Sequence, residues 1–287
     1  MRLLVTGREG QLARSLAERF VAHPGIELIA LGRPQLDLAE AGSVARAIRE
    51  HRPDLVINAA AYTNVDQAED EPELAFRVNA DAAGEAAAAA RAIGARNVHV
   101  STDYVFDGRA TGAYAEEAPT NPLSVYGRSK LAGEEQVRAA DPDHMILRTS
   151  WVYSPFGRNF VKSMMSAARD RDVLTVVEDQ AGSPTSALDL ADAILEAVRS
   201  WRSGTYHVAG FGQTSWCGLA RAIMAECRRL DLPSAQVEPI RTEAWPTKAA
   251  RPRNSVLDCS KFARDFGIRL PDWRGSIAAT VERLALA

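Results

Sequence analysis

The chain has 287 residues, of which 46% are hydrophobic and 25% are charged, and its 34 basic and 37 acidic residues give a formal net charge of −3. This composition is typical of a folded globular protein and excludes a disordered, collagen-like or coiled-coil chain. Because there is no basic excess, the electrostatic argument for nucleic-acid binding is absent. We find neither a signal peptide nor an apolar run of about 18 residues, the length that spans a membrane.

The three cysteines, Cys217, Cys227 and Cys259, are odd in number and contain no CxxC pair. Such usage disfavours a disulfide framework and a zinc ribbon, and it fits a reducing compartment. None of the five histidines is paired at metal-ligand spacing, so we predict no metal site. These features together predict a cytoplasmic protein that has no nucleic-acid or membrane partner.

Short apolar runs alternate with helical patterns through the first two thirds of the chain. The predicted strands are 3–5, 26–31, 55–57, 98–101 and 145–150, and the predicted helices are 11–21, 44–48, 66–96 and 124–139. A further helix over 188–198 and a strand over 204–208 follow. This alternation predicts an α/β fold, a doubly wound parallel sheet of the Rossmann type with helices on both faces.

The chain is predicted to divide into a large domain and a smaller lobe. Residues 1–150, with about 186–208, carry the alternating pattern and form the large domain. Residues 151–185 mix glycine, aromatic and polar residues, and residues 209–287 include a proline-rich patch. We assign these two stretches to a smaller C-terminal lobe that is interleaved with the main sheet.

A glycine-containing turn, GREGQLA at 7–13, lies between the first strand and the first helix. Gly7 allows the sharp turn, Gly10 allows the backbone to approach a pyrophosphate, and Ala13 lets the helix pack closely against the strand. The spacing is GxxGxxA and not GxGxxG, and such a turn also occurs as plain structure. Its position after a first strand favours a dinucleotide-binding site.

The second strand ends at Leu31 and is followed by Gly32 and Arg33, where an NAD site would carry an acidic residue for the adenosine 2′-hydroxyl. Arg33 can instead bind a 2′-phosphate through a bidentate, charged contact. We therefore predict NADPH as the cofactor and leave NADH use open. The alternative for Arg33 is a solvated arginine in a turn.

Tyr126 and Lys130 are four residues apart on a predicted helix and therefore share one face. A tyrosine ordinarily has a pKa of about 10, and we expect the nearby Lys130 ammonium to lower the pKa of Tyr126. The pair can then act as an acid or base at a carbonyl or alcohol. Thr102 ends the preceding strand, where its hydroxyl can hydrogen-bond the reacting oxygen. The alternative for the tyrosine and lysine alone is a solvated helix face.

Five segments, together with the glycine turn, carry a resemblance to a known family. They are NAAAYT at 58–63, STDYVF at 101–106, YGRSKLAGE at 126–134, RTSWVY at 148–153 and RPRNS at 251–255. With them the chain resembles, over nearly its whole length, the extended short-chain dehydrogenase/reductase family, whose members act on nucleotide sugars. The resemblance implies a reductase that transfers hydride from NADPH to C4 of a nucleotide-linked 4-keto-6-deoxyhexose, with thymidine as the base.

The resemblance also implies roles for individual residues. Tyr126 is the expected catalytic acid, and Lys130 is its partner, which also holds the nicotinamide ribose. Thr102 completes the catalytic set, and Asp103 lies beside it near the sugar. The cofactor is expected to contact the glycine turn and the loops after the second and third strands, namely Gly7, Gly10, Gln11, Leu12, Arg33, Asp37, Leu38, Ala61, Tyr62 and Thr63.

Substrate contacts are implied for Thr102, Asp103 and Trp151, of which Trp151 would cover the deoxyhexose. In this family the smaller lobe holds the nucleotide. We therefore expect residues of that lobe to bind it, namely Asn159, Gln180, Pro184, Thr185 and Arg251. An arginine suits a diphosphate, although a surface arginine is the more frequent case.

Some relatives are dimers bridged by magnesium through glutamates, but this chain has Ser15 where such an acid would lie. We therefore expect a monomer or a homodimer without bridging Mg²⁺. Two alternatives to the reductase stay open at this point. One is another nucleotide-sugar 4-ketoreductase or epimerase of the same fold, and the other is a non-catalytic cofactor-binding subunit that resembles the regulatory subunit of methionine adenosyltransferase.

Overall fold

The computed structural model describes residues 1–21 and 25–286, so His23 lies outside the described residues. Its strands are β1 (Arg2–Thr6), β2 (Glu27–Leu31), β3 (Leu55–Asn58), β4 (Arg96–Thr102), β5 (Met145–Thr149), β6 (Val152–Tyr153), β7 (Val173–Val177), β8 (Ala181–Gly182), β9 (Thr185–Ser186), β10 (Gly204–His207), β11 (Thr214–Ser215) and β12 (Gln236–Ile240). Its helices are α1 (Gln11–Phe20), α2 (Ser43–His51), α3 (Val65–Ala68), α4 (Pro72–Phe76), α5 (Ala82–Ala92), α6 (Val125–Ala140), α7 (Phe160–Ala167), α8 (Ala187–Ala197), α9 (Trp216–Arg229), α10 (Ser260–Phe266) and α11 (Trp273–Ala285). Within the described ranges, no helix is both long enough and apolar enough to cross a membrane.

Six strands form one parallel sheet in the order β10-β5-β4-β3-β1-β2. Successive residues of β1 point to opposite faces. Leu3 and Val5 pack into a core with α1 and α8, whereas Leu4 packs with α2 and α5 on the other face. The predicted doubly wound α/β fold is confirmed.

The long helix predicted after the third strand is interrupted in the structure. Pro72 begins α4, because proline fits only the first turn of a helix, and a π-helical segment, Arg77–Asp81, separates α4 from α5. Asn79 lies in this segment, and its side-chain oxygen accepts a hydrogen bond from the Tyr62 N–H at 2.8 Å. The interruption therefore places a buried amide against the loop that follows β3.

A second hydrophobic core lies outside the main sheet. It is built by α7, α9 and α11 together with β7, and it includes Val161, Leu174 and Ile277. In this region β7 pairs in parallel with β12. The elements come from the stretches 151–185 and 209–287, which the sequence assigns to the smaller lobe. The separate core supports that division, and its boundaries stay a prediction.

The main sheet and α6 are held together by a buried charge. The Glu134 side chain is fully buried, and its carboxylate accepts hydrogen bonds from Arg148 at 2.7 and 2.8 Å and from Ser101 Oγ at 2.6 Å. Burial by itself raises the pKa of Glu134, but the hydrogen bonds and charge of Arg148 outweigh it and lower the pKa overall. Helix α6 is thereby fixed against β4 and β5.

Replacing Glu134 by glutamine tests this interaction, because Arg148 then stays buried without a carboxylate partner. We expect Glu134→Gln to lower the free energy of unfolding in urea by about 3 kcal/mol or more. The control, Glu135→Gln at the exposed neighbouring position, should change it by less than about 0.5 kcal/mol.

The difference in unfolding free energy between the wild type and Glu134→Gln should depend on pH. A carboxylate with a lowered folded-state pKa contributes its full stabilisation above its unfolded pKa, and the contribution is lost as the pH falls further. The difference between wild type and Glu134→Gln should therefore shrink below about pH 4.5, the ordinary glutamate value. A loss at neutral pH no larger than that of Glu135→Gln would contradict this role for Glu134.

Candidate active site

The carboxyl ends of the central strands open into a cleft of about 880 Å³ between the main sheet and the smaller lobe. In doubly wound sheets this edge is where ligands bind. The cleft is lined by all the predicted catalytic and cofactor-binding residues and by Trp151, namely Gly7, Gly10, Gln11, Leu12, Arg33, Asp37, Leu38, Ala61, Tyr62, Thr63, Thr102, Asp103, Tyr126, Lys130 and Trp151. The fold thus brings residues from distant parts of the chain to one place.

The turn after β1 and the start of α1 line the cleft. Gly7 has a φ of +87°, and its N–H and that of Arg8 donate to Leu31 O at 2.7 and 3.1 Å. A Cβ on Gly7 would lie 2.9 Å from the Cβ of Ala60, so glycine is required here. No side chain of the described residues caps α1 at Gly10, and the first turn of α1 carries no acidic residue. The arrangement fits the pyrophosphate of a dinucleotide.

Helix α6 and the end of β4 bring the catalytic candidates together. Ser124 caps α6 by accepting a hydrogen bond from Gly127 N at 3.1 Å, which fixes Tyr126 in the first turn. The Thr102 hydroxyl lies close enough to Tyr126 to act on its pKa, and it donates to Asp103 Oδ1 at 3.0 Å. A substrate oxygen that meets the Tyr126 hydroxyl therefore also meets Thr102.

Burial raises the pKa of Tyr126 to about 12, and the hydrogen bond with Thr102 opposes only part of this effect. The expectation that Lys130 lowers this pKa is therefore wrong for the unliganded protein. The reason is geometric, since Lys130 Nζ donates to Val100 O at 2.7 Å and lies 3.3 Å from His99 Nε2. Tyr126 is consequently protonated at neutral pH, as a proton donor must be.

Burial also shifts two other groups of the cleft towards neutrality. It lowers the pKa of Lys130 to about 8, although the negative charge of Glu134 favours the ammonium form. It raises the pKa of Asp103 to about 7, against hydrogen bonds with Ser255 and Thr102. A lysine and an aspartate whose pKa values lie near neutral pH therefore share the cleft with a tyrosine that stays protonated.

Trp151 forms one wall of the cleft by stacking on Trp216, with ring centroids 3.6 Å apart and an interplanar angle of 6°. Gly182 lies against the Trp151 ring, and a Cβ at this position would overlap the indole. Trp216 begins α9 and lines the cleft as well. Sequence reasoning missed Trp216, because no local motif marks a stacking partner that is distant in the chain.

Four of the expected nucleotide-binding residues do not line this cleft. Asn159 caps α7 and donates to Gln11 Oε1 at 2.9 Å, which links the lobe to α1. Gln180 is buried and donates to a threonine hydroxyl at 3.1 Å. Pro184 and Thr185 are buried. In the unliganded protein these side chains serve the packing of the lobe, and their role in substrate binding stays a prediction.

Arg251 does not line the cleft either, because its guanidinium is paired with Asp66. The two N···O distances are 2.7 and 3.2 Å. Arg251 is also hydrogen-bonded to Tyr104, whose ring packs edge-on against that of Tyr126 at 5.7 Å between centroids. The sequence does not indicate the ion pair, which joins residues 185 positions apart.

Within residues 1–21 and 25–286, no group of three or more His, Cys, Asp or Glu side chains is placed to hold a metal ion. Ser15, which stands where a metal-binding acid was considered, is buried in α1. Its hydroxyl donates to Gln11 O at 2.8 Å and therefore serves the helix itself.

The doubly wound sheet, the glycine turn and the set of Thr102, Tyr126 and Lys130 define a dinucleotide-dependent dehydrogenase or reductase of the extended short-chain class. A family model described as "RmlD substrate binding domain" matches residues 1–286. The chain belongs to this family.

Relatives of known name agree with this assignment. The chain is 46% identical over 293 residues to the dTDP-4-dehydrorhamnose reductase of Sinorhizobium fredii, and the match covers 100% of the chain and 98% of the relative. It is 39% identical to the enzyme of that name from Escherichia coli, over 99% of the chain and 98% of the relative.

Solved structures agree with the assignment to this family. The chain is similar to a dTDP-4-dehydrorhamnose reductase from Clostridium acetobutylicum, with a TM-score of 0.94, 36% identity and coverage of 99% of this chain and 100% of that one. It is also similar to the enzyme of that name from Bacillus anthracis in complex with NADP, with a TM-score of 0.92, 35% identity and coverage of 98% and 99%.

A spectroscopic titration tests the protonation state of Tyr126. We expect the difference spectrum between wild type and Tyr126→Phe to show no phenolate absorbance from about pH 7 to about pH 10, because burial holds the pKa near 12. The phenylalanine variant is a matched control, since it removes only the hydroxyl. A phenolate signal near pH 8 in the difference spectrum would mean that Lys130 does lower this pKa.

Proposed function

We propose that the chain reduces dTDP-4-dehydro-L-rhamnose (dTDP-6-deoxy-L-lyxo-4-hexulose) to dTDP-L-rhamnose with NADPH, the last step in the synthesis of that nucleotide sugar. One observation carries the proposal. Thr102, Tyr126 and Lys130 lie together in the same cleft as the glycine turn. The substrate is supported by relatives named for it, which are 39% and 46% identical across nearly the whole chain.

In this mechanism Tyr126 is the acid. NADPH, when bound, supplies hydride to C4 of the 4-keto sugar. The Tyr126 hydroxyl donates its proton to O4 as the carbonyl becomes an alcohol, and its high pKa keeps that proton available at neutral pH. Thr102 hydrogen-bonds the same oxygen and stabilises the negative charge that develops on it. Thr102 donates its single hydrogen to Asp103 in the structure, so that hydrogen must turn from Asp103 to O4 when the sugar binds.

We assign the cofactor as NADPH and distribute its parts along the cleft. Gly10, Gln11 and Leu12 line the pyrophosphate, which the N–H groups of Gln11 and Leu12 can bind, because the Gly10 N–H already donates to Gly7 O at 2.7 Å. Lys130 holds the nicotinamide ribose. Asp37 and Leu38 border the adenine, and the middle of the cofactor lies along the loop of Ala61, Tyr62 and Thr63. The B. anthracis relative in complex with NADP supports this choice.

Arg33 is the residue that we expect to recognise the 2′-phosphate. It is exposed at the edge of the cleft, directly after β2. A guanidinium in that place attracts the phosphate of NADPH and gains nothing from the free hydroxyl of NADH. NADH use at a lower affinity is compatible with this site.

The smaller lobe, 151–185 and 209–287, is the proposed nucleotide-binding part. Trp151 covers the deoxyhexose, and its stacking on Trp216 supports this role by fixing the indole against the cleft. Arg251 is the proposed diphosphate ligand. Because Arg251 is paired with Asp66, the diphosphate must replace that carboxylate.

Two alternatives have less support. Solved structures of a UDP-glucose 4-epimerase and a dTDP-glucose 4,6-dehydratase are similar at 23% and 21% identity, so that likeness concerns the fold alone. A non-catalytic cofactor-binding subunit would not need the intact set of Thr102, Tyr126 and Lys130. The names of the relatives favour the reductase.

We also propose a cytoplasmic location and a monomer or homodimer as the working form. Cys217 and Cys227 are buried, and among the described residues neither forms a disulfide, which suits a reducing compartment.

The absorbance of NADPH provides the test of function. The sugar substrate is generated in situ by the enzymes that precede this step, and oxidation should require its presence. Tyr126→Phe should lower kcat by about 100-fold or more, because the ring stays while the proton donor is lost. Affinity for NADP⁺ serves as the control and should be unchanged. Unchanged turnover in this variant would remove the acid role, and no oxidation by folded, NADP-binding wild type would contradict the named substrate.

The choice of cofactor can be tested at Arg33. We expect Arg33→Ala to raise KM for NADPH by about tenfold or more, the loss of one charge-assisted contact, and to leave KM for NADH nearly unchanged. Arg49→Ala, an exposed arginine of α2, is the control for general charge. Equal changes in KM for NADPH and for NADH would mean that Arg33 does not recognise the 2′-phosphate.

A further inference from the structure

A chain of buried polar groups runs from the catalytic lysine to the loop beside the glycine turn. Lys130 Nζ lies 3.3 Å from His99 Nε2, and His99 Nδ1 lies 3.1 Å from Asn58 Nδ2. Thr6 Oγ1 donates to Asn58 Oδ1 at 2.8 Å and accepts from Ala60 N at 3.0 Å. The four side chains come from α6, β4, β3 and β1, and all are buried.

The hydrogens of this chain can be placed from its Thr6 end. Thr6 Oγ1 accepts from Ala60 N, and its single hydrogen is donated to Asn58 Oδ1. The Asn58 amide then presents its NH₂ group to His99. His99 Nδ1 must accept, and a neutral imidazole that accepts at Nδ1 carries its hydrogen at Nε2. With the amide turned over, the Thr6 hydrogen would lose the acceptor that it has in Asn58 Oδ1.

The Nε2–H group of His99 therefore faces Lys130 Nζ. An ammonium group has only donors, whereas a neutral amine offers a lone pair and can still donate to Val100 O at 2.7 Å. We propose that His99 is a positioning residue for Lys130, and that its Nε2–H donates to Nζ and favours the neutral amine over the ammonium.

The charged groups around this contact agree with the proposal. Burial, and then the charges of Lys130 and Arg138, hold the pKa of His99 well below its ordinary value, so the ring stays neutral. Burial likewise lowers the pKa of Lys130 to about 8. Glu134 on α6 favours the ammonium, but its own charge is balanced by Arg148 from β5.

The proposal has a consequence for the reaction, and that part rests on the proposed function. Tyr126, the remaining titratable group of α6 in the cleft, keeps its proton in the unliganded protein. Lys130, with a pKa of about 8, has both an ammonium and a neutral form near neutral pH, and the negative charges of cofactor and substrate favour the ammonium when they enter the cleft. His99 thereby sets how readily Lys130 changes its charge between the free and the loaded protein.

The tautomer of His99 is the first test, and it needs neither substrate nor a variant as the measured protein. The full chain is labelled with ¹⁵N in its histidine rings, and the His99 signals are assigned by their absence from His99→Gln. We expect a protonated Nε2 and an unprotonated Nδ1. A protonated Nδ1 overturns the proposal.

The pKa of Lys130 is the second test, measured by NMR on protein labelled with ¹³C at lysine Cε. A glutamine amide at position 99 reaches the place of Nε2 and can donate to Nζ, whereas an asparagine amide reaches only the place of Nδ1. We expect this pKa to rise by about half a unit to one unit in His99→Asn, the equivalent of one hydrogen bond. It should stay within about 0.3 unit of wild type in His99→Gln. No rise in His99→Asn, or an equal rise in both variants, overturns the proposal.

The pH dependence of kcat connects this contact to catalysis. In His99→Asn the basic limb of the pH profile of kcat should move to higher pH by the same amount, with KM for NADPH unchanged. In His99→Gln the limb should lie at its wild-type position. A merely structural role would lower activity in both variants without moving the limb, which counts against the proposal. If the wild type turns over no sugar, the proposed function fails, and the two NMR results still decide the inference about His99.

Discussion

The buried carboxylate of Glu134 constrains the position of every catalytic group in the cleft. A charge removed from water is costly unless it is paired, so α6 must keep its contacts with Arg148 on β5 and Ser101 on β4. Ser101 immediately precedes Thr102, and Lys130 lies one helical turn before Glu134. The contacts that neutralise Glu134 therefore also fix the distance between the strand-end hydroxyl and the catalytic helix.

Burial is the common cause of the protonation states that the chemistry needs. It disfavours the charged form of each group, so it raises the pKa of Tyr126 and Asp103 and lowers that of Lys130. Tyr126, the proposed acid, keeps its proton at neutral pH, and the pKa values of Asp103 and Lys130 lie close to neutral pH. The same exclusion of water strengthens the hydrogen bonds that meet the developing charge.

The sheet and the core of the site could be predicted from the sequence because both depend on local patterns. Buried parallel strands appear in the sequence as short apolar runs. The spacing of Tyr126 and Lys130 places these two residues on one helix face. The direction of the Tyr126 pKa shift could not be predicted, because burial and the real partners of Lys130 depend on the packed fold. The pairing of Arg251 with Asp66 and the stacking of Trp216 are likewise contacts between distant parts of the chain.

A crystal structure of the protein with NADP⁺ and dTDP-L-rhamnose is the most direct test of the site. It should place O4 of the sugar within hydrogen-bond reach, about 2.6–3.2 Å, of both the Tyr126 hydroxyl and Thr102 Oγ1. C4 should face the nicotinamide in the same complex. A sugar held elsewhere in the cleft, with O4 away from both hydroxyls, would contradict the assignment of Tyr126 as the acid and the reaction proposed for this protein.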